Sequence, residues 1–385
     1  MIDFISRIGP QQYITGNHVY EYLNVYFQKN NIAKALFLHG EKALHAARPY
    51  LPKSFSNTQI EYRKFSGECS LSEINDVTKQ IVSDKFQAIV GIGGGKVLDT
   101  VKSVAATLQI PVILLPTLVS NCAPWSSLSV HYQDDGTFSD FKTYAHSVDL
   151  LLLEEDVLFN SPVNYFVAGL ADTLAKYYES ELMLTKDFTS GKVALEHAAY
   201  FAQECQQIIL NEGEQAITDM LRHTKTKRWL EAAETIIVTG GLVGGFSAQY
   251  GRATGAHSIH DALTQFPETH AILHGVKVGY GVLVQLALEK KLEEAQKIWL
   301  WLRSLELPTN LAALGLKDEP EVKEKIAVAA ISEDKSIHLL PINITEKAIF
   351  DAITDIEELN KKLLREEEKN GISRTSQVSA REQSI

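Results

Sequence analysis

Three histidines and one aspartate are the side chains here whose types and spacing could hold a metal. His257 and His260, in Gly255-Ala256-His257-Ser258-Ile259-His260, are spaced i, i+3 and share one face of a helical turn. His274, in Leu273-His274-Gly275, would stand about 25 Å from His257 along an unbroken helix. The two can converge only if the chain folds back, and Phe266-Pro267-Glu268 offers the break. Asp172, in Gly169-Leu170-Ala171-Asp172-Thr173-Leu174-Ala175-Lys176, lies among small and apolar residues, where an unpaired charge is costly. Two neutral imidazoles and a carboxylate with one open position form a catalytic zinc constellation. Spacing alone leaves other readings open: each histidine as an ordinary core or surface residue, and Asp172 as an i, i+4 ion pair with Lys176.

A second constellation is backbone rather than side chain. Ala88-Ile89-Val90-Gly91-Ile92-Gly93-Gly94-Gly95-Lys96-Val97-Leu98-Asp99 runs from strand through three glycines into helix. Bare backbone admits a ligand closely, and the N–H groups opening the helix suit a diphosphate. The spacing is neither the dinucleotide fingerprint GxGxxG nor a Walker loop, which argues against phosphoryl transfer.

These residues must be positioned by a chain of 385 residues, enough for two domains. It is 45% hydrophobic and 22% charged, a composition able to bury a large core, and its net charge of -11 disfavours nucleic acid and anionic membranes. No apolar run reaches the roughly 18–20 residues of a membrane helix, and the opening MIDFISRIGPQQYITG lacks the layout of a signal peptide. Three cysteines without a CxxC point to a reducing cytoplasm rather than a disulfide framework.

Strand-like runs at Ala35–Leu38, Ile60–Phe65, Ala88–Ile92, Ile110–Leu115 and Asp149–Glu154 are separated by helical patterns such as Lys96–Ala106. That alternation predicts a parallel sheet covered on both faces. Gln133-Asp134-Asp135-Gly136-Thr137 predicts a hairpin. Beyond Ser161-Pro162 the patterns are helical and amphipathic: Tyr165–Leu182, Gly191–Asn211, Trp229–Gln249 and His274–Leu288. The expected organisation is an α/β domain over 1–161, a helical metal-binding domain over 162–365 with a cleft between the two, and a disordered polar tail over 366–385.

Taken together, the blocks Gly67-Glu68-Cys69-Ser70, Gly91-Ile92-Gly93-Gly94-Gly95, Pro116-Thr117, Leu128-Ser129-Val130, Asp172-Thr173-Leu174-Ala175-Lys176 and His257-Ser258-Ile259-His260 with His274-Gly275 give the chain a family likeness. Over roughly residues 1–360 it resembles the iron-containing (group III) alcohol dehydrogenase superfamily, on its glycerol dehydrogenase side. The resemblance implies an N-terminal Rossmann-like domain for NAD(P), an all-helical C-terminal domain as in the dehydroquinate synthase-like fold, and a homo-oligomer. It implies a divalent metal held by Asp172, His257 and His274, and a small-molecule substrate. The coenzyme candidates it implies are Gly40, Glu68, Gly93, Gly94, Gly95, Lys96, Asp99, Thr117, Ser126, Leu128 and Tyr132.

Departures from the family pattern refine these expectations. Iron-dependent members carry a histidine four residues after the aspartate; Lys176 stands there, which favours zinc over iron. Glycerol dehydrogenases place an aspartate where Pro116-Thr117-Leu118-Val119-Ser120-Asn121-Cys122-Ala123-Pro124-Trp125 has Cys122, and a neutral thiol does not accept hydrogen bonds from a diol as a carboxylate does. The Cys-Ala-x-Trp variant, with Ser336-Ile337-His338-Leu339-Leu340-Pro341, looks more like the hydroxycarboxylate dehydrogenase branch, whose members interconvert 2-oxo and 2-hydroxy acids. Arg252 is the candidate for the substrate carboxylate, with Lys277 in reserve. His260 is the candidate proton relay, or else a support for a ligand. Gly40, after the strand Ala35–Leu38, leaves room for a 2′-phosphate and favours NADP(H), whereas Glu41 argues for NAD. Alternatives are a glycerol dehydrogenase, a dehydroquinate synthase-like lyase and a non-catalytic nucleotide-binding protein.

Overall fold

The computed structural model describes residues 5–369. Their contacts divide the chain into two compact units, Met1–Gly169 with Gln215–Ala248, and Leu170–Glu214 with Gln249–Ile385. The division falls inside a helix rather than at Pro162, and 215–248 group with the first unit.

In the first unit β1 (Tyr13–Gly16) and α1 (Tyr22–Lys29) precede β2 (Lys34–His39), α2 (Glu41–Ala47), β3 (Gln59–Lys64), α3 (Leu71–Asp84) and β4 (Ala88–Gly93). Then come α4 (Gly95–Leu108), β5 (Val112–Pro116), β6 (Leu128–Tyr132), β7 (Phe138–Thr143) and β8 (Leu150–Glu154). Six strands form a parallel sheet in the order β1-β8-β5-β4-β2-β3. Every residue of β4, β5 and β8 is buried, as expected of strands covered on both faces. Phe27, Phe37, Val90 and Leu152 join one core cluster, each burial contributing about 1.5–3 kcal/mol. The expected hairpin is β6–β7, antiparallel, with an irregularity at His131/Tyr132.

The strand order creates a reversal. From β2 the chain proceeds to β3 at the sheet's edge; from β4 it proceeds to β5 on the other side. The carboxyl ends of β2 and β4 therefore flank a topological switch point, where open α/β sheets bind ligands. Gly40 follows β2, Gly93–Gly95 end β4 and open α4, and the Gly40 N–H donates to the Ile92 carbonyl at 3.2 Å.

Later helices are α5 (Glu155–Phe159), α6 (Val163–Glu181), α7 (Lys186–Thr189), α8 (Val193–Leu221), α9 (Lys227–Glu234) and α10 (Gly240–Ser247). Next are α11 (Gly255–Leu263), α12 (His274–Leu288), α13 (Leu292–Ser304), α14 (Pro320–Ala330) and α15 (Glu346–Lys369). Among the described residues the second unit contains no strand. The helix expected over Trp229–Gln249 is interrupted by a π turn at Thr235–Thr239, after which Gly241 and Gly245 in α10 admit the Trp125 ring and the backbone of Arg7 and Ile8. Residues 366–369 belong to α15 and correct the expected start of the tail; the rest of that tail, 370–385, lies outside the described residues. Among the described residues no helix is long and apolar enough to cross a membrane.

Candidate metal centre and nucleotide-binding turn

The second unit brings Asp172, His257 and His274 together. Asp172 lies in α6, His257 in the first turn of α11, and His274 opens α12. The chain folds back between the last two through Pro267–Thr269, where the sequence placed the break. Close packing of α11 against α12 depends on Gly281, since a Cβ there would run into the Ala256 carbonyl.

One ligand atom from each of Asp172, His257 and His274 lies within 4.8 Å of the others. Asp172 Oδ1 is 3.1 Å from His274 Nε2 and 3.5 Å from His257 Nε2, yet it is buried and makes no hydrogen bond. Donor lone pairs gathered about a common point, with a buried oxygen left unpaired, fit a divalent cation better than a closed hydrogen-bond network. The far nitrogens of both rings are engaged. His257 Nδ1 bonds Glu179 Oε2 at 2.6 Å, and His274 Nδ1 bonds His260 Nε2 at 2.9 Å. These bonds assign a tautomer that leaves each Nε2 to face Asp172.

Around this set the electrostatics are strong. Burial opposes ionisation of Asp172, but the two imidazoles hold its carboxyl well below the usual range. Burial likewise disfavours the His257 imidazolium, but the Glu179 and Asp172 carboxylates together outweigh it, pushing the ring up to about 9. Burial pushes His274 down. Burial, His274 and Lys277 drive His260 further down.

His260 is only 2% exposed. Its Nδ1 bonds Asp261 Oδ1 at 3.0 Å, and Lys335 holds Asp261 Oδ2 at 3.2 Å. It stands behind His274, bonded through Nε2 to that ring's Nδ1. Lys176 donates to the Arg252 carbonyl at 3.1 Å. The Arg252 side chain is half-buried. Lys277 is buried, donates to the Thr269 carbonyl at 3.4 Å, and is near enough for its charge to depress both His260 and His274.

Three supporting residues were missed by sequence reasoning. Glu179 is fully buried, and its Oε1 accepts the N–H groups of Thr254 at 2.8 Å and His257 at 2.9 Å. Its signal was available: Asp172, Lys176 and Glu179 follow i, i+4, i+7 along one helix face. Asp261 and Lys335 carried no comparable signal.

In the first unit the glycine turn owes its composition to crowding, not to left-handed backbone. A Cβ on Gly93 would lie 2.8 Å from Val97 Cγ2, and one on Gly94 2.8 Å from Leu118 Cδ1. No side chain caps the start of α4, which leaves its first N–H groups available to an anion. Lys96 Nζ meets Glu68 Oε1 at 2.5 Å and lies 5.1 Å from the Tyr132 ring centre, so these three candidates are gathered beside the turn. Thr117 donates its N–H to the Gly93 carbonyl at 3.1 Å. Ser126 and Leu128 lie on the segment leading into and opening β6, and Cys122 lies in the loop before it, half-buried. Asp99 departs from its expected role: it is 5% exposed and turned inward, with Oδ2 accepting the Val130 N–H at 3.0 Å and Oδ1 2.8 Å from Lys102 Nζ. Glu41, beyond Gly40, is exposed and paired with Lys64 at 2.5 Å.

A parallel sheet with a glycine turn at its switch point, followed by a helical unit carrying a His, His, Asp set, fits an enzyme that binds a nucleotide and a divalent metal. The chain belongs to the iron-containing alcohol dehydrogenase family. The model of that family matches residues 10–153. Hydroxycarboxylate dehydrogenase A of Escherichia coli strain K12 is 31% identical over 352 residues, covering 91% of this chain and 96% of the relative. A glycerol dehydrogenase of Escherichia coli O6:H1 is also 31% identical, over 365 residues, covering 93% and 98%. The crystal structure of glycerol dehydrogenase from Schizosaccharomyces pombe superposes with a TM-score of 0.83 at 29% identity, covering 96% of this chain and 93% of that one. The protein is thus an oxidoreductase of the alcohol and glycerol dehydrogenase type, acting on CH–OH groups.

Proposed function

We propose that this enzyme interconverts a 2-hydroxy acid and a 2-oxo acid by moving a hydride between the substrate's carbinol carbon and C4 of a nicotinamide coenzyme. The observation that carries the reading is Lys277, buried and one turn along α12 from His274, on the same face of that helix. A basic side chain at that place suits an anionic substrate, and Cys122, where glycerol dehydrogenases of the family carry an aspartate, adds no negative charge of its own. Arg252 is the other cation offered to the substrate carboxylate, through its bidentate fork.

Asp172, His257 and His274 would hold a divalent metal, and we favour zinc because Lys176 stands where iron-dependent members of the family carry a histidine as a fourth ligand. Bound there, such an ion is a Lewis acid that polarises the substrate oxygen. Glu179 fixes the His257 ring, and the line His260, Asp261, Lys335 fixes the His274 ring. Gly93, Gly94 and Gly95 give the coenzyme diphosphate access to backbone N–H groups. Gly40, with the Glu41 charge met by Lys64, supports acceptance of NADP(H) as well as NAD(H). A cytoplasmic homo-oligomer is part of the same proposal and rests on the family resemblance.

Glycerol dehydrogenase is the second reading, favoured by relatives of that name at the same identity. Absorbance at 340 nm on zinc-loaded enzyme separates the two. NADPH oxidation with 2-oxobutyrate or 2-oxoglutarate should outpace NAD reduction with glycerol, and Lys277→Met or Arg252→Ala should raise KM for the 2-oxo acid. Faster turnover on glycerol would sink the hydroxy-acid reading.

A further inference from the structure

The segment from Thr117 to Ser127 contains no helix or strand, yet it leads from Thr117 to Ser126 and Leu128, three of the residues offered to the coenzyme. Something other than a ladder must hold it. Lys102, in α4 and 3% exposed, reaches into this segment and donates to the carbonyls of Ala123 at 2.8 Å, Ser126 at 3.1 Å and Leu128. All three N–H donors of the ammonium are thereby used. Asp99 Oδ1, 2.8 Å away, supplies the countercharge. The same Asp99 takes the Val130 N–H with Oδ2, and its carbonyl takes the Ser129 hydroxyl at 2.8 Å.

We propose that Lys102, with Asp99, is a positioning residue for the coenzyme: it fixes the segment Ala123–Val130 onto the helix whose first turn carries the glycines. α4 then couples two coenzyme-facing segments in one rigid piece, the diphosphate turn at its start and the segment held one to two turns further in. Three carbonyl oxygens converge on one cation. Without that charge they repel one another and lose their shared donor, which loosens the segment's hold on α4. This inference rests on the coenzyme reading above.

The test is titration of metal-loaded Lys102→Met and wild-type enzyme with NADH and NADPH by fluorescence, alongside metal content, thermal midpoint and the split between KM and kcat. Loss of charged hydrogen bonds of this kind predicts a rise of roughly tenfold or more in coenzyme Kd and KM. Metal content should be unchanged, and kcat at saturating coenzyme should fall much less. A purely structural lysine would lower the thermal midpoint and leave Kd where it was; that outcome overturns the proposal. Should Lys102→Met fail to fold, Asp99→Asn carries the test, since it keeps an oxygen for the Val130 N–H and removes the countercharge. It should raise Kd in the same direction by less, and an unchanged Kd again overturns the proposal. If wild-type enzyme binds neither coenzyme, the coenzyme reading itself falls, and this inference with it.

Discussion

The two units build their candidate sites by opposite means. The glycine turn works by absence: side chains are missing at Gly93 and Gly94, the start of α4 is left uncapped, and recognition falls to backbone N–H groups. The histidine set works by accumulation. Three ligand atoms converge, and each ring is aimed by a further buried group, Glu179 behind His257 and His260 behind His274. The first kind of site is contiguous in sequence and needs only a strand, a turn and a helix. The second needs three helices, α6, α11 and α12, to return to one place, and its accuracy depends on supporting residues drawn from segments distant in sequence.

The largest effect that would test this contrast comes from the ligands. His257→Ala and His274→Ala should each reduce bound metal, measured by elemental analysis, to background. Turnover should fall by roughly 10³-fold or more, because Lewis-acid stabilisation supplies several kcal/mol. Coenzyme affinity should stay within about twofold if the two sites act independently. A parallel loss of coenzyme binding would break the contrast. Next in size is Gly94→Val, which fills the turn beside Leu118. Losing one or two charge-assisted hydrogen bonds to a diphosphate predicts a rise of about 10–100-fold in coenzyme Kd. Metal content should stay full; unaltered coenzyme affinity would mean that the turn does not hold the diphosphate.

The same contrast explains what was legible beforehand. All five expected strands lie in the sheet, because near-continuous runs such as Ile89-Val90-Gly91-Ile92 and Leu150-Leu151-Leu152-Leu153 are the signature of strands buried on both faces. The return of the chain between His257 and His274 was legible from Pro267. The π turn at Thr235–Thr239 was not, since an apolar run with glycines reads as continuous helix until Trp125 and the Arg7–Ile8 backbone are packed against it. Nor was the inward turn of Asp99. Local spacing placed it on the helix of the glycine turn, and only the hairpin β6–β7, arriving about 30 residues later, supplies the Val130 N–H that claims it. Supporting residues are the least legible class, because their partners come from distant segments.

Glu179 gives the smallest and most discriminating test of that class. Its two oxygens accept three N–H groups: His257 Nδ1 on one, and the main chain of Thr254 and His257 on the other. Gln offers one oxygen and one amide group, so it must present an N–H donor either to the ring N–H or to the two main-chain N–H groups. Either way one contact turns from attractive to repulsive, and the negative charge that favours the ring's orientation is lost. Because the amide keeps one acceptor, the expected cost for Glu179→Gln is about tenfold in metal affinity, the low end of the range for such supporting groups. Excess metal should restore turnover to near the wild-type level, since the three ligands are all still present. A competition titration against a fluorescent chelator reads the affinity. If affinity is unchanged, the Glu179 contact does not aim the ring.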